Sequence, residues 1–363
     1  MNEKKLKKNR KYLLALDIAL NTFGFERLKK IEKSGLNFEE VWEMPAGQLK
    51  QKLGKYNFVE KLASERGKIY PDTEIEKLEK QKIGFITIYD EEYPKNLKEI
   101  FSPPVILYYK GDLNVLNEVC LAVVGSRKYT TYGKNAAEKL VYGLSESGFT
   151  IVSGMALGID TFAHTSALNA EGKTVAVLGC GLNQPYPSSN TNLFRQIINS
   201  DGLALSEYMP GKPPLPQHFP ARNRIISGLS KGILIIEAGI RSGALITARD
   251  GLEQNKDIFT VPGPIFGESS SGTNQLLKMG ANPVTQAEDI IEYYGYKTKP
   301  KIILKPSNNT EKAIFEALNK EKMHVDDIIK HAKLESQLII STLTLMEIKG
   351  KVKNLGGMVY CLN

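Results

Sequence analysis

The chain has 363 residues, 48 Lys+Arg against 40 Asp+Glu, a formal net charge of +8, and 42% hydrophobic residues. These are the proportions of an ordinary globular protein, and the length allows about two to three domains. No apolar run reaches the ~20 residues of a membrane helix, and the basic start Lys4-Lys5-Leu6-Lys7-Lys8 leads into an apolar stretch broken at Asp17, so neither a membrane span nor a secretory leader is expected.

Cys120, Cys180 and Cys361 are odd in number and have no Cys or His at metal-ligand spacing. Neither a disulfide framework nor a zinc site is expected, and a reducing, cytoplasmic compartment is. The basic excess sits at the two ends: residues 1–80 hold 18 Lys+Arg against 13 Asp+Glu, residues 296–363 hold 12 against 7, and residues 81–295 hold 18 against 20. A middle that meets phosphate must therefore use a few placed cations rather than a bulk field.

Residues 1–80 are expected to form a small helical domain, SAM-like or helix-hairpin-helix-like. Helices are predicted over Lys11–Leu20, Phe25–Ser34 closed by Gly35, and Phe38–Trp42, with Met44-Pro45 as a stop. From Ile83 the period changes. Residues 84–89 and 105–109 are β-type runs, and short strands apolar through both parities follow at 121–124, 150–152, 174–178, 203–205, 233–236 and 258–261. Strands buried on both faces with helical stretches between them predict a parallel, Rossmann-like α/β sheet over residues 81–296. The segment Lys297-Thr298-Lys299-Pro300-Lys301 is read as a linker. Beyond it, over residues 305–363, helices at 310–318, 325–331 and 335–348 precede a hairpin through Gly356-Gly357. Three helices and a hairpin make a winged-helix-like domain with Ser336–Ile348 in the recognition-helix place, a module suited to DNA or protein alike.

Ligands of open parallel sheets bind beyond the carboxyl ends of the strands, and those ends are loaded with glycine here. The first reads Gly125-Ser126-Arg127, where glycine admits a ligand to the backbone and the Arg127 fork suits a phosphate. The second, Ser153-Gly154-Met155-Ala156-Leu157-Gly158-Ile159-Asp160, offers Asp160 as a helix cap or loop anchor. His164 is expected to be a satisfied polar residue, since no Ser, Cys or carboxylate nominates a triad. The third, Gly179 to Pro187, lacks the third glycine of a dinucleotide fingerprint, and no GxxxxGK[ST] occurs. A Pro-stiffened loop, Met209 to Pro214, then delivers His218-Phe219-Pro220-Ala221-Arg222-Asn223-Arg224 to a helix start. An aromatic ring beside cations suits single-stranded nucleic acid, with bases stacking and phosphates paired. The competing reading makes Phe219 core and pairs Arg222 with Glu207 or Glu237.

These motifs, with Glu237-Ala238, Ser242-Gly243-Ala244-Leu245-Ile246-Thr247-Ala248 and Val261-Pro262-Gly263 in the same order, resemble the DNA-processing protein A (DprA/Smf) family. The resemblance spans Gly125 to Gly263. It implies a single-stranded DNA-binding recombination mediator that protects incoming DNA and loads the RecA recombinase during natural transformation. It implies a homodimer, no cofactor and no catalysis. Carried over by motif position, Gly125, Ser126, Arg127, Phe219, Arg222, Asn223 and Arg224 are the expected DNA-binding residues. Many members have a Lys three residues before the Phe; Pro216 stands there, and Lys212, the nearest lysine, is the candidate substitute. The alternative is a Rossmann-like nucleotide or phosphoribosyl hydrolase, whose PGGxGT-type loop is replaced here by Glu237 to Gly243.

Overall fold

The computed structural model describes residues 3–54, 56–296, 306–318 and 322–362, with side chains from residue 10 onward. The segment 297–301 read as a linker lies outside the described residues. The chain divides into two compact units, Met1–Lys299 and Pro300–Asn363.

The first unit begins with six helices: α1 (Glu3–Leu20), α2 (Phe25–Ser34), α3 (Phe38–Glu43), α4 (Ala46–Leu53), α5 (Asn57–Glu65) and α6 (Pro71–Lys80). Leu13, Leu14, Leu16 and Leu20 of α1 are buried. Helix α2 stops at Gly35, whose φ of 74° is the left-handed conformation a glycine adopts without strain. Asn37 and Glu40 form a reciprocal capping box that starts α3. These helices share one hydrophobic core with the sheet, running from Tyr12 to Leu276. Asp17 fixes the junction, accepting from the Phe23 amide and from the Tyr108 hydroxyl, each at 2.7 Å.

The sheet has nine strands in the order β1-β2-β6-β5-β4-β3-β7-β8-β9. They are β1 (Gly84–Thr87), β2 (Ile106–Gly111), β3 (Cys120–Val124), β4 (Thr150–Ser153), β5 (Thr174–Leu178), β6 (Leu203–Ser206), β7 (Gly232–Ile235), β8 (Asp257–Thr260) and β9 (Asn282–Pro283). Strands β3 to β9 run parallel, as the apolar runs of β3 to β8 predict. Strand β2 pairs antiparallel with both β1 and β6, so the sheet is mixed at that edge. Only a four-residue helix, α7 (Lys95–Lys98), lies between β1 and β2, too little to make the helical crossover of a parallel pair. The intervening helices of the parallel part are α8 (Thr131–Glu146), α9 (Ile159–Asn169), α10 (Thr191–Asn199), α11 (His218–Leu229), α12 (Ala244–Glu253), α13 (Ser271–Lys278) and α14 (Glu288–Tyr293).

The order reverses around β3. The chain fills β4, β5 and β6 on one side, then crosses back through α11 to lay β7 beside β3 on the other. Such a switch point opens a crevice at the carboxyl ends of the strands.

The second unit has α15 (Asn309–Leu318), β10 (Met323–His324), α16 (Val325–Ala332), α17 (Ser336–Ile348), β11 (Val352–Asn354) and β12 (Val359–Leu362). Its own core includes Ile314, Ile328, Ile339, Leu343, Met346 and Val352. Gly356 and Gly357 both take positive φ, 98° and 59°, which gives the hairpin its twist-compatible turn. Strand β10 pairs with β12 and completes a three-stranded sheet. Buried Glu311 receives the Lys351 ammonium and the Ser307 amide, each at 2.6 Å.

Candidate nucleic-acid interface

The loop after β3 is clamped from two sides. The Ser126 amide donates to the Glu237 carbonyl at 2.7 Å, and the Ser126 carbonyl accepts from the Ile159 amide at 3.2 Å. Glu237, 2% exposed, holds the far end, accepting from the Thr130 amide at 2.9 Å and the Thr130 hydroxyl at 2.8 Å. The glycines exist for this closeness. A Cβ on Gly125 would lie 2.7 Å from Ile159 Cγ1, and one on Gly158, whose φ is 81°, would lie 2.4 Å from the Ser126 carbonyl. A three-way junction of backbone therefore presents Arg127, which is exposed, at the rim.

Helix α11 supplies the opposite wall. Phe219 is half-buried, its ring against the position of Gly179, where a Cβ would approach Phe219 Cδ1 to 3.1 Å. Tyr186 lies beside it with ring centroids 5.6 Å apart, and the Arg127 guanidinium stands over the Phe219 ring at 5.5 Å. That distance is within cation–π range. The structure thus brings together Gly125, Ser126, Arg127 and Phe219, from two motifs far apart in the chain.

The two arginines of the segment 219–224 point elsewhere. Arg222 is 4% exposed, and its guanidinium donates to the Gly154 carbonyl at 2.6 Å and to the Val177 carbonyl, tying α11 to the ends of β4 and β5. A Cβ on Gly154 would sit 2.5 Å from Arg222 Nη2, so the glycine is what gives the guanidinium its room. Burial lowers the Arg222 pKa to about 10, against the opposing pull of Asp160, and the group stays cationic at neutral pH. Arg222 pairs with neither Glu207 nor Glu237; its electrostatic partner is Asp160. Arg224 instead takes Glu207, at 2.6 Å, with further bonds to the Ser102 and Ala221 carbonyls. Asn223 is half-buried, accepting from Arg222 Nε at 3.3 Å and donating to the Gly243 carbonyl at 3.4 Å.

Lys212 is also engaged away from the ring. Its ammonium donates to Asn21 Oδ1 at the end of α1, and burial, then Lys61, lower its pKa against the pull of Asp17. Pro216 is exposed.

Behind the rim, Asp160 behaves as the sequence suggests, whereas His164, expected to be satisfied, is bonded at one ring nitrogen only and leaves Nε2 buried without a partner among the described residues. Asp160 anchors its own loop, accepting from the Gly154 amide at 3.1 Å and the Ala156 amide at 3.3 Å. Burial raises its pKa, and Arg222 with those amides pulls it back. His164 is fully buried and bonds the Thr174 hydroxyl through Nδ1 at 2.7 Å. Because that hydroxyl donates to the Ile151 carbonyl, Nδ1 carries the proton. Burial, then the Arg222 charge, hold its pKa down at about 3, so the ring is neutral. Tyr186 is not among the site residues nominated from sequence, and Glu237 enters there only as a motif residue and as a competing partner for Arg222. Tyr186 was findable as an aromatic in a Pro-flanked strand-end loop, whereas the Thr130 bonds of Glu237 span 107 positions and leave no local trace.

Fold and site define a Rossmann-like protein that presents an aromatic–cation pair, on a backbone junction, beyond the carboxyl ends of its parallel strands. A family model described as DNA recombination-mediator protein A matches residues 84–295, and one described as DprA winged helix domain matches residues 300–358. The DNA processing protein DprA of Streptococcus pneumoniae is 46% identical over 216 residues, 60% of this chain and 76% of the relative. The protein Smf of Escherichia coli is 43% identical over 215 residues, 59% of this chain and 58% of the relative. The X-ray structure of the Streptococcus pneumoniae protein superposes with a TM-score of 0.63 at 40% identity, covering 75% of this chain and 98% of that one. DNA processing protein A from Helicobacter pylori, described for its single-stranded DNA binding mode, gives 0.53 at 32% identity, covering 59% and 95%. The chain belongs to the DprA/Smf family of DNA recombination mediators. Among the described residues, no helix is long and apolar enough to cross a membrane.

Proposed function

We propose that this chain binds single-stranded DNA at the carboxyl edge of its sheet and acts as a non-enzymatic recombination mediator. Phosphate meets Arg127, a base stacks on Phe219 with Tyr186 alongside, and Gly125 and Ser126 hold the loop in place. Arg222, Asn223 and Arg224 act one layer back by fixing α11, and Lys212 flanks the site from the α1 junction. The single observation that carries this reading is the Arg127 guanidinium held 5.5 Å above a half-buried Phe219 ring at a strand-end loop. Stacking plus placed cations is the economy of single-strand recognition. The Helicobacter pylori relative supports the same reading. Loading of the RecA recombinase onto the bound strand, homodimer formation and a cytoplasmic location complete the proposal and rest on family membership. The hydrolase alternative lacks its carboxylate, because Glu237 is enclosed and committed to Thr130.

The test is fluorescence anisotropy with a labelled oligothymidine and with a hairpin duplex of equal length, alongside turnover assays on nucleoside phosphates. The proposal expects preference for the single strand by about tenfold or more, ~1.4 kcal/mol, and no turnover. Equal affinity for the duplex, or saturable hydrolysis lost on Glu237→Gln, would overturn it.

A further inference from the structure

Helix α17 stands where a winged helix reads DNA, yet Ser336–Ile348 contains no Lys, Arg or His. Duplex recognition depends on cations against phosphate and polar side chains at base edges. Here the inward face, Ile339, Thr342, Leu343 and Met346, is buried in the unit's own core, while Leu338 at 44%, Leu345 at 54% and Ile348 at 77% exposure line one outward flank and Ile340, at 42%, stands on the other. With exposed Ser341, Leu338, Leu345 and Ile348 stand at i, i+3, i+7 and i+10. That is the a/d seam of two heptads, the pattern by which one helix packs along another.

We propose that α17 pairs, antiparallel and across a local two-fold axis, with α17 of a second copy of this chain. Two features select this occupant. The first is register. An antiparallel pair sets Leu338 against the second copy's Ile348 and Ser341 against the second copy's Leu345, so the one small residue of the seam faces a large one and the helices close without a gap. The second is charge. Glu335 and Lys349, both exposed, flank the seam two heptads apart and occupy the same heptad position. Antiparallel pairing brings each Glu335 within a turn of the second copy's Lys349, whereas parallel pairing opposes Glu335 to itself and Lys349 to itself; flanking charges of this kind set helix orientation. The contact is isologous, as closed two-fold pairs are. With three apolar side chains per copy it falls well below the ~1,200 Å² of a stable interface, so the pairing is concentration-dependent and reinforces copies already held near each other.

The test uses the full chain in a Cys361→Ser background, since Cys120 and Cys180 are buried. Ser341→Cys and Leu345→Cys proteins are oxidised separately and as a mixture. The expected result is a disulfide-linked pair that forms in the mixture well above the yield of either alone, because only the 341–345 pairing falls within the ~7 Å Cα limit of a disulfide. In parallel, Leu345→Glu should move an association step seen by sedimentation velocity to at least about tenfold higher concentration. Equal yields in all three oxidations, or sedimentation unchanged by Leu345→Glu, would overturn the pairing. Loss of duplex binding by Leu345→Glu with unchanged sedimentation would overturn it in favour of a DNA-reading helix.

Discussion

Replacing Arg222 by Met separates a buried brace from a DNA contact. Methionine keeps most of the length of the side chain and removes the charge. Two charge-assisted bonds disappear, to the carbonyls of Gly154 and Val177, each ~1.5–3 kcal/mol. Asp160, also buried, loses the cation that offsets its desolvation. Relief of the guanidinium's own desolvation returns part of this, and breaking a buried charge cluster from one side leaves a net cost of about 3–5 kcal/mol. A domain stable by ~10 kcal/mol, the middle of the usual range, stays folded at 25 °C after that loss. Urea unfolding should therefore show Arg222→Met destabilised by that amount. Salt titration of oligothymidine binding to the folded variant should keep the parent's slope, because no phosphate partner has been removed. Unchanged stability together with a slope reduced by about 0.7, the increment for one single-strand phosphate contact, would refute the buried-brace assignment and make Arg222 a direct contact.

Asp17 gives a pH signature. Burial raises its folded pKa from 3.8 to about 6, so the folded state favours the protonated form. Its contribution is full below pH 3.8 and is lost as pH rises through 6, about 3 kcal/mol in all. Relative to Asp17→Asn, the parent should thus be more stable at pH 4.5 than at pH 7.5, and a difference independent of pH in urea melts would contradict the placement. Pro216→Lys should tighten oligothymidine binding and steepen the salt slope by about 0.7; an unchanged slope would mean that the position does not face the strand. A chain ending at residue 299 should unfold cooperatively and bind within about tenfold of the full chain, because the two compact units have separate cores; a larger loss in anisotropy would place the winged helix in the site.

The parallel strands were legible because burial on both faces leaves continuous apolar runs such as Leu121-Ala122-Val123-Val124, and the left-handed stop at Gly35 because glycine takes that conformation without strain. Strands β9 and β10, two residues each, carry no periodicity to read. The antiparallel edge depends on which neighbour β2 finds, a long-range choice that Ile106–Gly111 does not encode locally. At the site, Gly125, Gly154 and Gly158 announced close backbone approach, but not what approaches. Arg222 and Arg127 are the same residue type in equally polar motifs. Only the packing of α11 over β4 and β5 buries one and leaves the other at the rim. The Lys212 ammonium meets Asn21 across 191 positions, a pairing that no spacing rule anticipates.

The central claim is that Arg127 and Phe219 act on one strand through different physics, and paired salt titrations of Arg127→Ala and Phe219→Ala on the same oligothymidine test it most directly. Arg127→Ala should remove most binding and lower the salt slope by about 0.7, with the far-UV circular dichroism of the parent. Phe219→Ala should cost about 1–3 kcal/mol of affinity and leave the slope intact. Parent-like binding by Arg127→Ala, or a Phe219→Ala protein that melts far lower yet binds as before, would contradict the account.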